Sequence, residues 1–128
     1  MGSLYSDAMD FVTRYNACTS LVDEQSGWDL ILALCATDTG ENVFLQVANG
    51  KVVEMKTERP PCFPVSADET SPLPGQVIIC AEARLLDDIL HLRQPPNEPY
   101  LFGDLIVKGA EPDFLRLDYI VMSLGARV

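Results

Sequence analysis

The chain has 128 residues, a formal net charge of −10 and a hydrophobic fraction of 48%. That length makes one domain, residues 1–128, with enough apolar material for a full core, so general disorder is excluded. Its nine basic residues are scattered and form no patch that would bind nucleic acid through counterion release.

No apolar run reaches the ~20 residues that span a bilayer. Residues 1–20 carry Asp7, Asp10 and Arg14 with no uninterrupted apolar core of the secretory type. The expectation is a cytoplasmic protein that makes no stable insertion into membranes. Four cysteines, at 18, 35, 62 and 80, show no zinc-ligand spacing, so no metal is expected. Cys35 and Cys80 fall in apolar strands and read as buried thiols, and Cys62 is the one to test for reactivity.

Residues 6–22 predict the first helix, capped by Ser6 or Asp7, with Ala8, Phe11, Tyr15, Cys18 and Val22 at helical spacing. Trp28 to Thr37 reads as a strand apolar on both faces, and therefore interior. The strand Asn42–Ala48 follows, then Asn49-Gly50, a strong hairpin signal because both positions tolerate positive φ, then the return strand Lys51–Thr57. In that strand Val53 and Met55 are expected on one face and Glu54 and Lys56 on the other. Prolines 60, 61, 64, 72 and 74 make residues 58–76 a long loop, with Phe63 and Val65 tucked against the domain and a lid over a ligand entrance as one use for it.

Val77 to Ala81 predicts a fourth strand, and residues 82–93 a second helix stopped by Pro95-Pro96. Tyr100 to Gly109 reads as a strand running through Gly103, with Asp104 to Lys108 as its regular part. Pro112 then opens a last helix carrying Phe114, Leu115, Leu117, Ile120, Val121 and Leu124.

The order of elements resembles the sterol carrier protein 2-like lipid-binding domain over residues 5–124. The resemblance is most specific in Val77–Leu124: an apolar strand, an acidic and apolar helix, a proline link, an aromatic–x–Gly strand opening, then Gly109 and the closing helix. It implies an α/β (α+β) fold, a five-stranded, largely antiparallel sheet with helices packed on one face around a hydrophobic tunnel or core. Members often have Gln before the strand glycine and Lys after it. Here Phe102 and Asp104 stand there, and the proline loop is longer, which points to a divergent specificity.

Among the side chains that carry chemistry, His91 is the single histidine and reads as a helix-end residue; Asp87 and Asp88 are adjacent and do not share a helix face. No nucleophile elbow, phosphate loop or dinucleotide fingerprint appears. The reading is non-enzymatic binding or transfer of a hydrophobic small molecule, such as a fatty acyl chain, its coenzyme A ester or a sterol-like lipid, with no cofactor. The expected cavity lining is Trp28, Leu86, Ile89, Leu90, Phe102, Phe114, Leu117 and Val121. Two alternatives stand beside it: an accessory subunit docking on a lipid- or steroid-metabolising partner enzyme, and a small-molecule enzyme using His91, Tyr100, Tyr119 or an Asp as acid or base.

Overall fold

The computed structural model describes residues 3–58 and 75–127. Most of the 58–76 loop, with Phe63, Val65 and Cys62, lies outside the described residues, and so does the lid expected of it.

The first helix starts earlier than its pattern predicts. α1 spans Leu4–Ala17 because Ser3, not Ser6 or Asp7, is the cap: its hydroxyl accepts the Ser6 amide. This start brings Leu4 into line with Ala8, Val12 and Tyr15 on the buried stripe. Asp7 in the first turn and Arg14 in the last suit the helix dipole. The backbone then bends at Cys18, and a short α2, Thr19–Glu24, buries Leu21.

Five strands form one sheet in the order β3-β2-β1-β4-β5. β1 (Leu30–Ala36), β2 (Asn42–Ala48) and β3 (Lys51–Lys56) are a consecutive antiparallel meander, as the sequence predicts. The turn between β2 and β3 has Asn49 at φ 51° and Gly50 at φ 83°, the pattern of a type I′ hairpin. The alternation expected in β3 is broken by a register shift at Gln46/Val47. The shift leaves Val53 exposed and turns Val52, with Met55, toward the core.

β4 (Gln76–Ala81) lies beside β1 and runs parallel to it, while β5 (Ile106–Lys108) returns antiparallel along β4. One of the four pairings is therefore parallel, and the sheet is mixed but mostly antiparallel. β1 and β4 are buried along nearly their whole length, as interior strands should be.

Two further elements depart from expectation. α3 spans Ala83–Leu90 and stops before Pro95-Pro96, because Leu92 takes a left-handed conformation (φ 64°) and the Arg93 amide closes back on the Asp88 carbonyl. The segment read as a strand opening is a helix, α4, Asn97–Phe102. It ends at Gly103 in the left-handed region, and the Asp104 and Leu105 amides both return to the Pro99 carbonyl. Only three residues remain for β5. α5, Glu111–Arg127, completes the chain.

One sheet face carries the main core. Leu30, Leu32, Leu34, Val43, Leu45, Val77 and Ile79 pack there with residues of α1, α2, α3 and α5. The other face holds a small cluster of Ala33, Phe44 and Ile78, with Ile31, Cys35 and Cys80 packed against it. Among the described residues, the helices contribute only to the first face.

Candidate functional site

Between the sheet and the helices lies an apolar void of about 50 Å³. Leu32, Leu34, Leu45 and Ile79 form its floor from the sheet. Phe11 of α1 closes one side, Leu86, Ile89 and Leu90 of α3 another, and Phe114, Leu117 and Val121 of α5 the roof, with Pro96 and Leu105 completing the wall. Among the described residues no polar side chain lines it. The convergence follows from periodicity: positions 86, 89 and 90 share one face of α3, and 114, 117 and 121 share one face of α5.

Six of the eight expected lining residues therefore meet around one space: Leu86, Ile89, Leu90, Phe114, Leu117 and Val121. The other two are elsewhere. Phe102 is 75% exposed at the end of α4, because the chain there is helical and aims the ring outward. Trp28 is buried just before β1 but works in a polar latch beyond the void.

In that latch the Trp28 indole Nε1 donates to Asp113 Oδ1 at 3.1 Å, and the Arg116 guanidinium lies 5.4 Å from the indole centroid. Arg116 Nη1 also donates to the buried Gln25 Oε1 at 2.7 Å, and the Tyr119 hydroxyl donates to the Glu24 carboxylate. Asp113, Arg116 and Tyr119 follow helical spacing, so one face of α5 is tied to α2 and the start of β1. Sequence reasoning missed this latch. The signal available was polar residues three apart on an otherwise apolar helix.

A second polar cluster joins α1 to α3 beside the void. His91 Nδ1 lies 2.8 Å from Asp87 Oδ1, and Nε2 lies 3.4 Å from Asp10 Oδ2 and 4.0 Å from Asp7 Oδ1. Burial pulls the imidazole down, but its hydrogen bonds to the Asp87 carbonyl and Asp10, with the Asp87 charge, outweigh that and raise it above 6.5. Burial, followed by the Asp87 charge, raises Asp7 above the usual carboxylate value. Arg93 pairs with Asp87 and Asp88 at the outer edge. His91 thus fastens two helices, a role its helix-end position does not reveal. Neither His91 nor Tyr119 nor Tyr100 lines the void. Tyr100 packs against Phe114 with ring centroids 4.6 Å apart and the ring planes tilted by 42°.

A surface groove beside α3 is lined by Glu82, Arg84, Leu85, Asp88 and Asp104. Three carboxylates against one guanidinium make it unsuited to an anion. Among the described residues no helix is long and apolar enough to cross a membrane.

No protein-family model matches the sequence, and no curated protein matches it either. Solved structures do match. The chain is similar to sterol carrier protein 2, at 18% identity over 95% of this chain and 92% of that one, with a TM-score of 0.62. It is similar to palmitated SCP2L2 from Aedes aegypti, at 12% identity over 88% and 91% of the two chains, with a TM-score of 0.53. It also matches the inverting sec-alkylsulfatase Pisa1 from a Pseudomonas species at 15% identity and a TM-score of 0.56, covering 77% of this chain and spanning only 14% of the sulfatase. The order of elements, the mixed sheet and the closing helix give this chain the sterol carrier protein 2-like fold, in a sequence far diverged from the structures that share it.

Proposed function

We propose that the chain binds or transfers a hydrophobic small molecule, a fatty acyl chain, its coenzyme A ester or a sterol-like lipid, in the space between the sheet and α1, α3 and α5, without catalysing a reaction on it. The supporting observation is the void itself, which is lined by apolar side chains from every layer of the fold. The neighbour solved in palmitated form supports an acyl chain as the ligand class.

The void as it stands holds about 50 Å³, against roughly 300–1,000 Å³ for pockets that enclose a drug-sized ligand. Binding therefore works by parting α3 and α5 from the sheet, the acyl chain replacing contacts these helices make with the floor. Ten buried methylenes contribute about 8 kcal/mol before the costs of association, and micromolar affinity is about 8 kcal/mol. The helices must therefore move at little cost. A neutral head group fits better than an anionic one, given the carboxylates around the nearby groove.

A second reading is an accessory module that docks on a lipid-metabolising enzyme. It is favoured by Leu101 at 80% exposure and Phe102 at 75%, side by side at the end of α4. Titration of a fluorescent fatty acyl probe separates the two. Leu90→Trp fills the void and is expected to weaken the probe by tenfold or more, about 1.4 kcal/mol. Leu101→Ser with Phe102→Ser is expected to leave probe affinity unchanged and stability within about 0.5 kcal/mol. Saturable probe binding lost only in the α4 double variant, or none at all in the parent protein, contradicts the carrier reading.

A further inference from the structure

Cys35 and Cys80 lie on the sheet face that the helices leave, away from the void. They are register partners on adjacent parallel strands, so both side chains leave the sheet side by side in the same direction. Strand spacing sets their α-carbons about 4.8 Å apart, within the 4.4–6.8 Å range that a disulfide spans. Both are half-buried rather than fully buried as their apolar strands suggest. Lys108 pairs with Ile78 across β4 and β5, which puts it on this same face, two residues along the strand from Cys80. Cys18 is on the helix side, packed against the main core.

We propose that Cys35 and Cys80 form an oxidisable dithiol, a modification site at which a hydroperoxide converts the two thiols into a cross-strand disulfide. Lys108 on the adjoining strand makes Cys80 the side of the pair that supplies the thiolate; the hydrogen bond from the Cys35 thiol brings it down to about 7, with burial opposing and the Lys108 charge aiding. Its thiolate Sγ attacks the terminal peroxide oxygen and the O–O bond breaks. The departing alkoxide or hydroxide takes a proton and leaves as alcohol or water, and Cys80 becomes a sulfenic acid.

The Cys35 sulfur then attacks Cys80 Sγ. The S–S bond forms, the S–O bond breaks, and the hydroxide leaves as water with the Cys35 proton. Two thiols and one hydroperoxide thus give one disulfide, one alcohol or water, and one further water, the sulfur pair losing two electrons to the peroxide. Parallel neighbours keep their β-carbons near the strand spacing, slightly wider than the usual 3.5–4.5 Å, so the bond is one that a dithiol reductant reopens. None of this depends on a lipid in the void.

The test treats the full chain with hydrogen peroxide at neutral pH, alkylates what remains, and maps the non-reduced peptides by mass spectrometry. The expected result is loss of two hydrogens, a peptide joining Cys35 to Cys80, and its disappearance on reduction with dithiothreitol. Cys35→Ser, a near-isosteric change whose folding is checked by circular dichroism, is expected to stop at a Cys80 sulfenic acid that dimedone captures. A disulfide through Cys18 or Cys62, over-oxidation of Cys80 beside an alkylatable Cys35, or no reaction at either thiol would each overturn the proposal.

Discussion

Gly50 concentrates several constraints at one residue. Its φ of 83° suits only glycine or a few small polar residues, and a β-carbon there would sit 2.6 Å from the Gln25 carbonyl oxygen. Its amide donates to the Trp28 carbonyl, and its own carbonyl accepts the Tyr15 hydroxyl. Burial pushes that phenol up to about 12, so it stays a donor across the physiological range. The hairpin tip is thereby fixed to α1 and to the entry of β1. Gly50→Ala is expected to lower stability by about 1–3 kcal/mol from backbone strain alone, and more through the clash with Gln25. Urea unfolding measures it, and an unchanged midpoint would mean that the turn relaxes away from Gln25.

At the scale of elements, the His91 cluster makes the α1–α3 contact respond to pH. An imidazole held above 6.5 in the folded state contributes stability that is fully present below that value and is lost as pH rises through the higher folded value. Asp7 acts in the same direction at lower pH, since its raised value means the folded state keeps a proton that the unfolded chain has released. The expected outcome is a wild-type stability that falls, relative to His91→Gln, as pH rises from about 6 to 8, the range in which histidine titrates. Parallel pH profiles for the two proteins would remove His91 from the fastening of α1 to α3.

The strands of the meander were legible because alternation and Asn49-Gly50 are local signals, and they agree with the packing. α4 was misread because Tyr100-Leu101-Phe102 and Leu105-Ile106-Val107 look like one apolar strand. The helical signal was present in Pro99 and Glu98 in the first turn and Gly103 just past the end. Phe102 was lost from the lining for the same reason. The β1–β4 parallel pairing and the His91 cluster join residues far apart in the chain, and no local pattern specifies either.

For the whole molecule, the fold was legible through the order of elements, and six of the thirteen described residues that line the void through helical periodicity. The size of the space was not, because a core that closes on itself and one that opens for an acyl chain use the same apolar residues. The proposed function places the hydrophobic ligand in this layer and not at the exposed end of α4. Methyl NMR during titration with a neutral long-chain alcohol tests it most directly. Saturable shifts are expected at Leu86, Ile89, Leu90, Leu117 and Val121, with Leu101 unmoved. Shifts confined to Leu101 and Ile106, or no shift at saturating alcohol, would contradict it.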